Sequence, residues 1–296
     1  MMGRCVTLTG EFGTACLDML CMQLTPLTSL TDPELVSIDL SALEGMCASA
    51  LAVLVSALRT ARVDGLCNPF SQFNAPRSCP ELTGEFLRAL VEHRDDRQPQ
   101  GTVEAACGCE PFSSIDGVVR ARETLLQWIS AEAKLSEQAQ ATVRKLIWDL
   151  AQNVLAHAEI GGGVAAARVN LHDQTLELAV ADRGIGIRES LARSEVPNVS
   201  DDVSALRAAL QPGVTSEPGT GKGMGLYLAN RVLVKNEGTL MVRSGNARLE
   251  QPSQVELAAP LPNFKGTLVT VVARLDRPLD HEAVDRELSR PQGVAT

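Results

Sequence analysis

The chain has 296 residues, 45% of them hydrophobic and 21% charged, with a net charge of -9 and a pI near 5.1. That is the composition of a soluble globular protein with room for two ordinary domains, and it argues against a nucleic-acid partner, whose phosphates require a basic face. The longest apolar run, Ala48 to Leu58, falls far short of the roughly 20 residues a membrane span needs, and Met1-Met2-Gly3-Arg4 leads into Val6-Thr7-Leu8-Thr9 with no signal-peptide core. An unsecreted, cytoplasmic protein that contacts no membrane is therefore expected.

In chain order, Val6 to Leu8 reads as a short strand, Ala15 to Leu24 as a helix and Leu35 to Leu40 as a buried strand. Ala48 to Arg62 carries Ala and Leu at helical spacing with no proline. Asn68 to Pro80 is loop-like, Leu82 to His93 helical, and Arg94 to Gly101 a charged linker, so the first domain is expected to end near residue 110. All eight cysteines (Cys5, Cys16, Cys21, Cys47, Cys67, Cys79, Cys107 and Cys109) lie in this half. Cys16, Cys21 and Cys47 sit in apolar stretches and read as reduced core residues. Cys107-Gly108-Cys109 with Cys79 and His93 could in principle bind zinc, but no C-x-x-C pair supports a metal.

Val118 to Trp128 and Ser136 to Ala158 follow as helices, the second capped by Ser136. Val164 to Leu171 and Leu176 to Ala181 read as a hairpin turned at His172-Asp173-Gln174, and Thr239 to Ser244 and Thr267 to Leu275 as two further strands. Between Arg188 and Pro218 lies a long polar segment with one short helix, Asp202 to Leu210, a length that suggests a functional lid. After the last strand, Asp280 to Ser289 has helical character.

Four boxes stand out. On the helix of residues 136–158, Val143, Leu146, Ile147, Leu150 and Val154 make an apolar stripe, with Asp149, Asn153 and His157 at i, i+4 and i+8 beside it. A strand then ends in Ala181-Asp182-Arg183-Gly184-Ile185-Gly186-Ile187, where a carboxylate can accept a hydrogen bond from a base amino group and the glycines leave room for a flat ring. Next, Gly219-Thr220-Gly221-Lys222-Gly223-Met224-Gly225-Leu226 precedes an amphipathic helix, a setting in which backbone N–H groups suit an anion. It is no Walker A loop, since Ser216 and Gly223 stand where glycine and Ser/Thr are required, and no dinucleotide fingerprint, since Met224 and Leu228 replace the third glycine. Gly266-Thr267 opens the last strand.

In this order and spacing the boxes resemble the histidine-kinase-like ATPase (GHKL, or Bergerat) fold along residues 118–276. The resemblance implies an α/β (α+β) protein, with a two-layer sandwich of a mixed sheet and helices over residues 111–276 and a tail over 277–296. It implies ATP and Mg2+ as cofactors, with Asn153 the magnesium ligand, Asp182 the adenine-binding acid, and Gly184 and Gly186 shaping the adenine pocket. Gly221, Gly223 and Gly225 would present backbone donors to the phosphates, Lys222 would add charge, and Thr267 would join the network around adenine. Asp149 takes the place of a glutamate general base, one methylene or about 1.5 Å shorter, which puts water activation in doubt. His157, four residues after Asn153, is similar in spacing to the anti-sigma-factor serine kinases. Ile38-Asp39-Leu40-Ser41 and the helix of residues 48–62 resemble the STAS fold of anti-sigma-factor antagonists, making residues 1–110 a smaller α/β docking domain. Ala48 occupies the position of the phosphorylated serine there.

The expected function is an ATP-binding regulatory protein that transfers the γ-phosphate to serine or threonine of a regulatory protein partner. A non-catalytic ATP-gated interaction switch and a slow ATPase remain as alternatives, and a homodimer is compatible with both. A sensor histidine kinase is disfavoured, because the one His-Glu pair, His281-Glu282, follows the last strand.

Overall fold

The computed structural model describes residues 4–13, 16–25, 36–63, 73–74, 84–92, 108–157, 162–215, 223–252, 255–257 and 261–289. The expected charged linker at 94–101, most of the expected loop at 68–80, and Cys67, Cys79, His93 and Cys107 lie outside these residues.

The first half builds a small parallel sheet in the order β1 (Arg4–Phe12), β2 (Val36–Met46), β3 (Phe73–Asn74), with helices α1 (Leu17–Gln23), α2 (Ala48–Val63) and α3 (Gly84–Glu92). β1 and β2 run well past the apolar cores that the sequence marks. Their extensions alternate, with Leu8, Phe12, Leu43 and Met46 buried and Thr7, Thr9, Glu11 and Glu44 facing water, which is the pattern of a half-solvated sheet.

The second half is a seven-stranded sheet in the order β4 (Gly108–Phe112), β5 (Gly163–Asn170), β6 (Thr175–Asp182), β10 (Phe264–Arg274), β7 (Thr239–Gly245), β8 (Ala247–Gln251), β9 (Val255–Leu257). All its pairings among the described residues are antiparallel, in contrast to the mixed sheet expected in this half. The β5–β6 hairpin turns where anticipated: the Asn170 side-chain oxygen accepts from the backbone N–H groups of His172 and Asp173, and Gln174 takes a positive φ of 52°.

Alternation splits the sheet into two apolar faces. Ala165, Ala167, Leu178, Val180, Val242 and Val271 face a layer formed by α4 (Ile115–Glu132), α5 (Glu137–His157) and α8 (Gly225–Asn236). Ser136 caps α5 as expected, its hydroxyl accepting from the Ala139 N–H at 3.2 Å. The polar segment expected as a lid holds the expected α7 (Asp202–Ala209), and a further helix, α6 (Gly186–Arg193), runs into its start. After the last strand, α9 (His281–Leu288) packs down through buried Val284, a His281–Thr142 hydrogen bond at 3.0 Å and a Lys235–Glu287 ion pair.

The other face of the sheet is covered by α2. Every residue from Ala48 to Leu58 is buried, and Val164, Ala166, Ala179, Ala181, Met241 and Leu268 pack into the same core. Small residues on both sides, alanines in α2 and Ala166, Ala179 and Ala181 in the sheet, let the helix approach closely; a helix apolar all round must be enclosed on all sides. Its first turn rests on Glu177 of β6. That carboxylate accepts from the N–H groups of Ala48 (3.1 Å) and Ser49 (3.0 Å) and from the Ser49 hydroxyl, which also meets the Thr270 hydroxyl at 2.8 Å. An anion at a helix N-terminus satisfies donors that no helical carbonyl can reach. A second tie joins α1 to β7: fully buried Arg243 lies 2.6 Å from Asp18 and stacks over Phe264. Among the described residues no helix is long and apolar enough to cross a membrane.

Candidate functional site

β6 ends at Asp182, which is 4% exposed and sits beneath an open cleft. Its Oδ1 accepts from the Gly184 N–H at 2.7 Å, and the Thr267 N–H adds a second hydrogen bond. Burial pushes its pKa from 3.8 up to about 6, against the pull of those two N–H groups and of the Arg183 charge. Gly184 is buried behind the carboxylate, while Gly186 and Thr267 line the cleft.

The walls at this end demand glycine. Gly266 has φ +99°, and a Cβ there would stand 2.2 Å from the Asp182 carbonyl oxygen. Gly186 has φ +80°, and its Cβ would meet the Ser244 hydroxyl at 2.8 Å. That hydroxyl donates to the Gly266 carbonyl at 2.8 Å and accepts from the Ile187 N–H at 3.0 Å, so it fastens the first turn of α6 to the start of β10. Ser244 has no motif around it, and its neighbour Arg243 breaks the apolar run of the strand just before it.

The opposite wall is α5. Lys145, Asp149 and Asn153, spaced by one turn each, all line the cleft, with Leu150 and Val154 beside them. The Lys145 ammonium lies 2.8 Å and 3.1 Å from the two Asp149 oxygens. Motif and spacing single out Asp149 in the sequence but not Lys145, although an i,i+4 Lys and Asp pair on the same face is a readable signal. The start of α8 closes this side: a Cβ on Gly225 would lie 3.4 Å from the Asp149 Cβ and 3.7 Å from the Asn153 amide nitrogen. Gly223, with φ +60°, is packed against Gly213 and Val214, and its carbonyl accepts from the Gly213 N–H at 3.0 Å. Gly221, Lys222 and the His157 side chain lie outside the described residues.

The cleft so formed has a volume of about 360 Å³, within the range of small-molecule sites. It is apolar around Asp182, through Val180, Ile187, Leu191 and Val269, and polar along α5. Among the described residues, no group of three or more His, Cys, Asp or Glu is arranged to hold a metal by itself. Cys109, one of the residues weighed for zinc, is buried in the core with Cys47.

Residues 138–276, a little under half of the chain, match the family described as histidine kinase-, DNA gyrase B-, and HSP90-like ATPase. Comparison with curated proteins gives no match. Among solved structures, the chain is similar to the mycobacterial sensor histidine kinase MprB at 18% identity and a TM-score of 0.29, over 46% of this chain and 71% of that one. A similarity that low supports no argument about fold or function. The family match over residues 138–276 supports an ATP-binding regulatory function.

Proposed function

We propose that this protein binds ATP with Mg2+ in the cleft between α5, α8 and the end of β6, and transfers the γ-phosphate to a serine or threonine of a partner protein. The observation that carries the reading is the pairing, across one cleft, of a buried carboxylate in an apolar end with an amide, a carboxylate and a glycine-bounded helix start at the other.

The residues fit the ligand chemically. Asp182 can accept from an exocyclic amino group, and Gly186, which also lines the cleft, lets Ser244 and Gly266 pack where a Cβ would clash. Asn153 offers the kind of oxygen that magnesium takes while keeping its remaining positions for water and phosphate. When bound, magnesium supplies charge neutralisation along the phosphates. The N-terminus of α8 adds backbone donors and a favourable dipole. In the transfer, the partner hydroxyl oxygen forms a bond to the γ-phosphorus, the bond to the bridging oxygen breaks, ADP departs, and the hydroxyl proton passes to Asp149 or to water. Positioning and electrostatics carry most of such a reaction.

A second reading, an ATP-gated interaction switch that moves no phosphate, draws on one observation: the Asp149 carboxylate is held by Lys145. Incubation of the protein with Mg2+ and γ-labelled ATP, with and without extract of its source cells, separates the two. Label appearing on a protein, and lost with Asp182→Asn, supports transfer; nucleotide binding with no labelled product supports the switch.

A further inference from the structure

We infer that Lys145 is a positioning residue for phosphate, and that Asp149 is the site where its ammonium is held until a polyphosphate draws it away. The inference deepens the proposed function and rests on the cleft being a nucleotide site.

Lys145 lies one turn before Asp149 and two before Asn153, so the three form a ladder about 12 Å long on one face of α5. All three line the cleft. The ammonium meets both oxygens of one carboxylate, at 2.8 Å and 3.1 Å. The two side chains differ in exposure, 35% for Lys145 and 15% for Asp149. The carboxylate is therefore fixed between α5 and the start of α8, where the Gly225 Cβ position is 3.4 Å from its own Cβ. The lysine stem is the more open and the longer, and it is the member of the pair that can swing.

A bare carboxylate on the wall of a phosphate site would repel the ligand, and the lysine neutralises it. A polyphosphate carries more charge than one carboxylate and competes for the same ammonium. Exchange of Lys145 from Asp149 to phosphate would strengthen binding and release the Asp149 oxygens together. Such coupling makes the free carboxylate conditional on a loaded cleft. It also gives the cleft a means to tell a nucleotide with several phosphates from a nucleoside, independent of the base.

The test compares affinities for ATP and adenosine, measured by calorimetry in magnesium buffer, in the full chain and its variants. Lys145→Met should weaken ATP about tenfold and leave adenosine unchanged, and Lys145→Arg should restore most of the loss. Asp149→Asn should tighten ATP about threefold by freeing the ammonium. In the Lys145→Met background the same change should give a smaller gain. Equal effects of Lys145→Met on both ligands, or none on ATP, would overturn the inference, as would an Asp149→Asn gain of the same size in both backgrounds. If the unmodified protein binds neither ligand, the nucleotide reading falls and takes this inference with it; if it binds ATP more tightly than adenosine and Lys145→Met changes neither affinity, only the inference falls. Melting temperatures of the variants identify any loss that comes from unfolding.

Discussion

Asp182, the acceptor proposed for the base, is placed at a cost to stability. Its carboxyl, pushed by burial from 3.8 to about 6, holds a proton more tightly in the folded chain than in the unfolded one. The stabilisation this gives is complete below pH about 4 and is lost as pH rises through about 6; two units correspond to about 3 kcal/mol. Glu110 on β4 has the same sign, burial raising it from 4.5 to about 7 against the opposing charge of Arg120. The ligand-free protein should therefore melt lower at pH 8 than at pH 5. Asp182→Asn and Glu110→Gln should each raise the melting temperature at pH 8 and leave it nearly unchanged at pH 4. Equal shifts at both pH values would contradict the burial argument.

At the scale of elements, the contact that most needs its partner is the N-terminus of α2 on Glu177. Glu177→Ala leaves two buried N–H groups and a buried hydroxyl without their acceptor and should cost about 3 kcal/mol in denaturant unfolding, with Glu177→Gln intermediate. A loss under about 0.5 kcal/mol would mean that water replaces the carboxylate. No sequence pattern announces this contact, because its members are 128 and 129 residues apart. The elements that the sequence does announce are those whose signal is local: the β5–β6 hairpin with its Asn170 turn, the Ser136-capped α5 and the α8 helix after the glycines. β4 escapes such a reading because Gly108-Cys109-Glu110-Pro111-Phe112 holds a proline and a carboxylate and survives as an edge strand. α6 escapes it because its first residue is a glycine at positive φ and its outer face is charged, which reads as loop. Of the cleft, Asp149, Asn153, Asp182, Gly186, Gly223, Gly225 and Thr267 are legible as boxes; Lys145, paired with Asp149, and Ser244, bonded to the Gly266 carbonyl, carry no box of their own.

For the whole molecule, the enclosure of α2 between the small sheet and the seven-stranded sheet, together with the Glu177 and Arg243 ties, makes the two halves interdependent. They should unfold in one transition. Both tryptophans, Trp128 and Trp148, lie in the second half and report its unfolding by fluorescence. Buried Cys47, whose thiol is pushed up to about 12 by burial and by the Glu177 charge, reports the first half by its reactivity. Alkylation of Cys47, followed by peptide mass analysis across a urea series, should have the same midpoint as the fluorescence change. Earlier reaction would show that the first half opens alone.

The central claim is that the cleft above Asp182 is a purine nucleotide site. Its most direct test is calorimetric titration of the full chain with Mg–ATP, alongside Asp182→Asn and with GTP as a second ligand. The account predicts one site, affinity for ATP well above that for GTP, and loss of about a hundredfold or more in the variant, as expected when a buried acceptor for an amino group is replaced. Unchanged ATP affinity in a folded Asp182→Asn variant would contradict it.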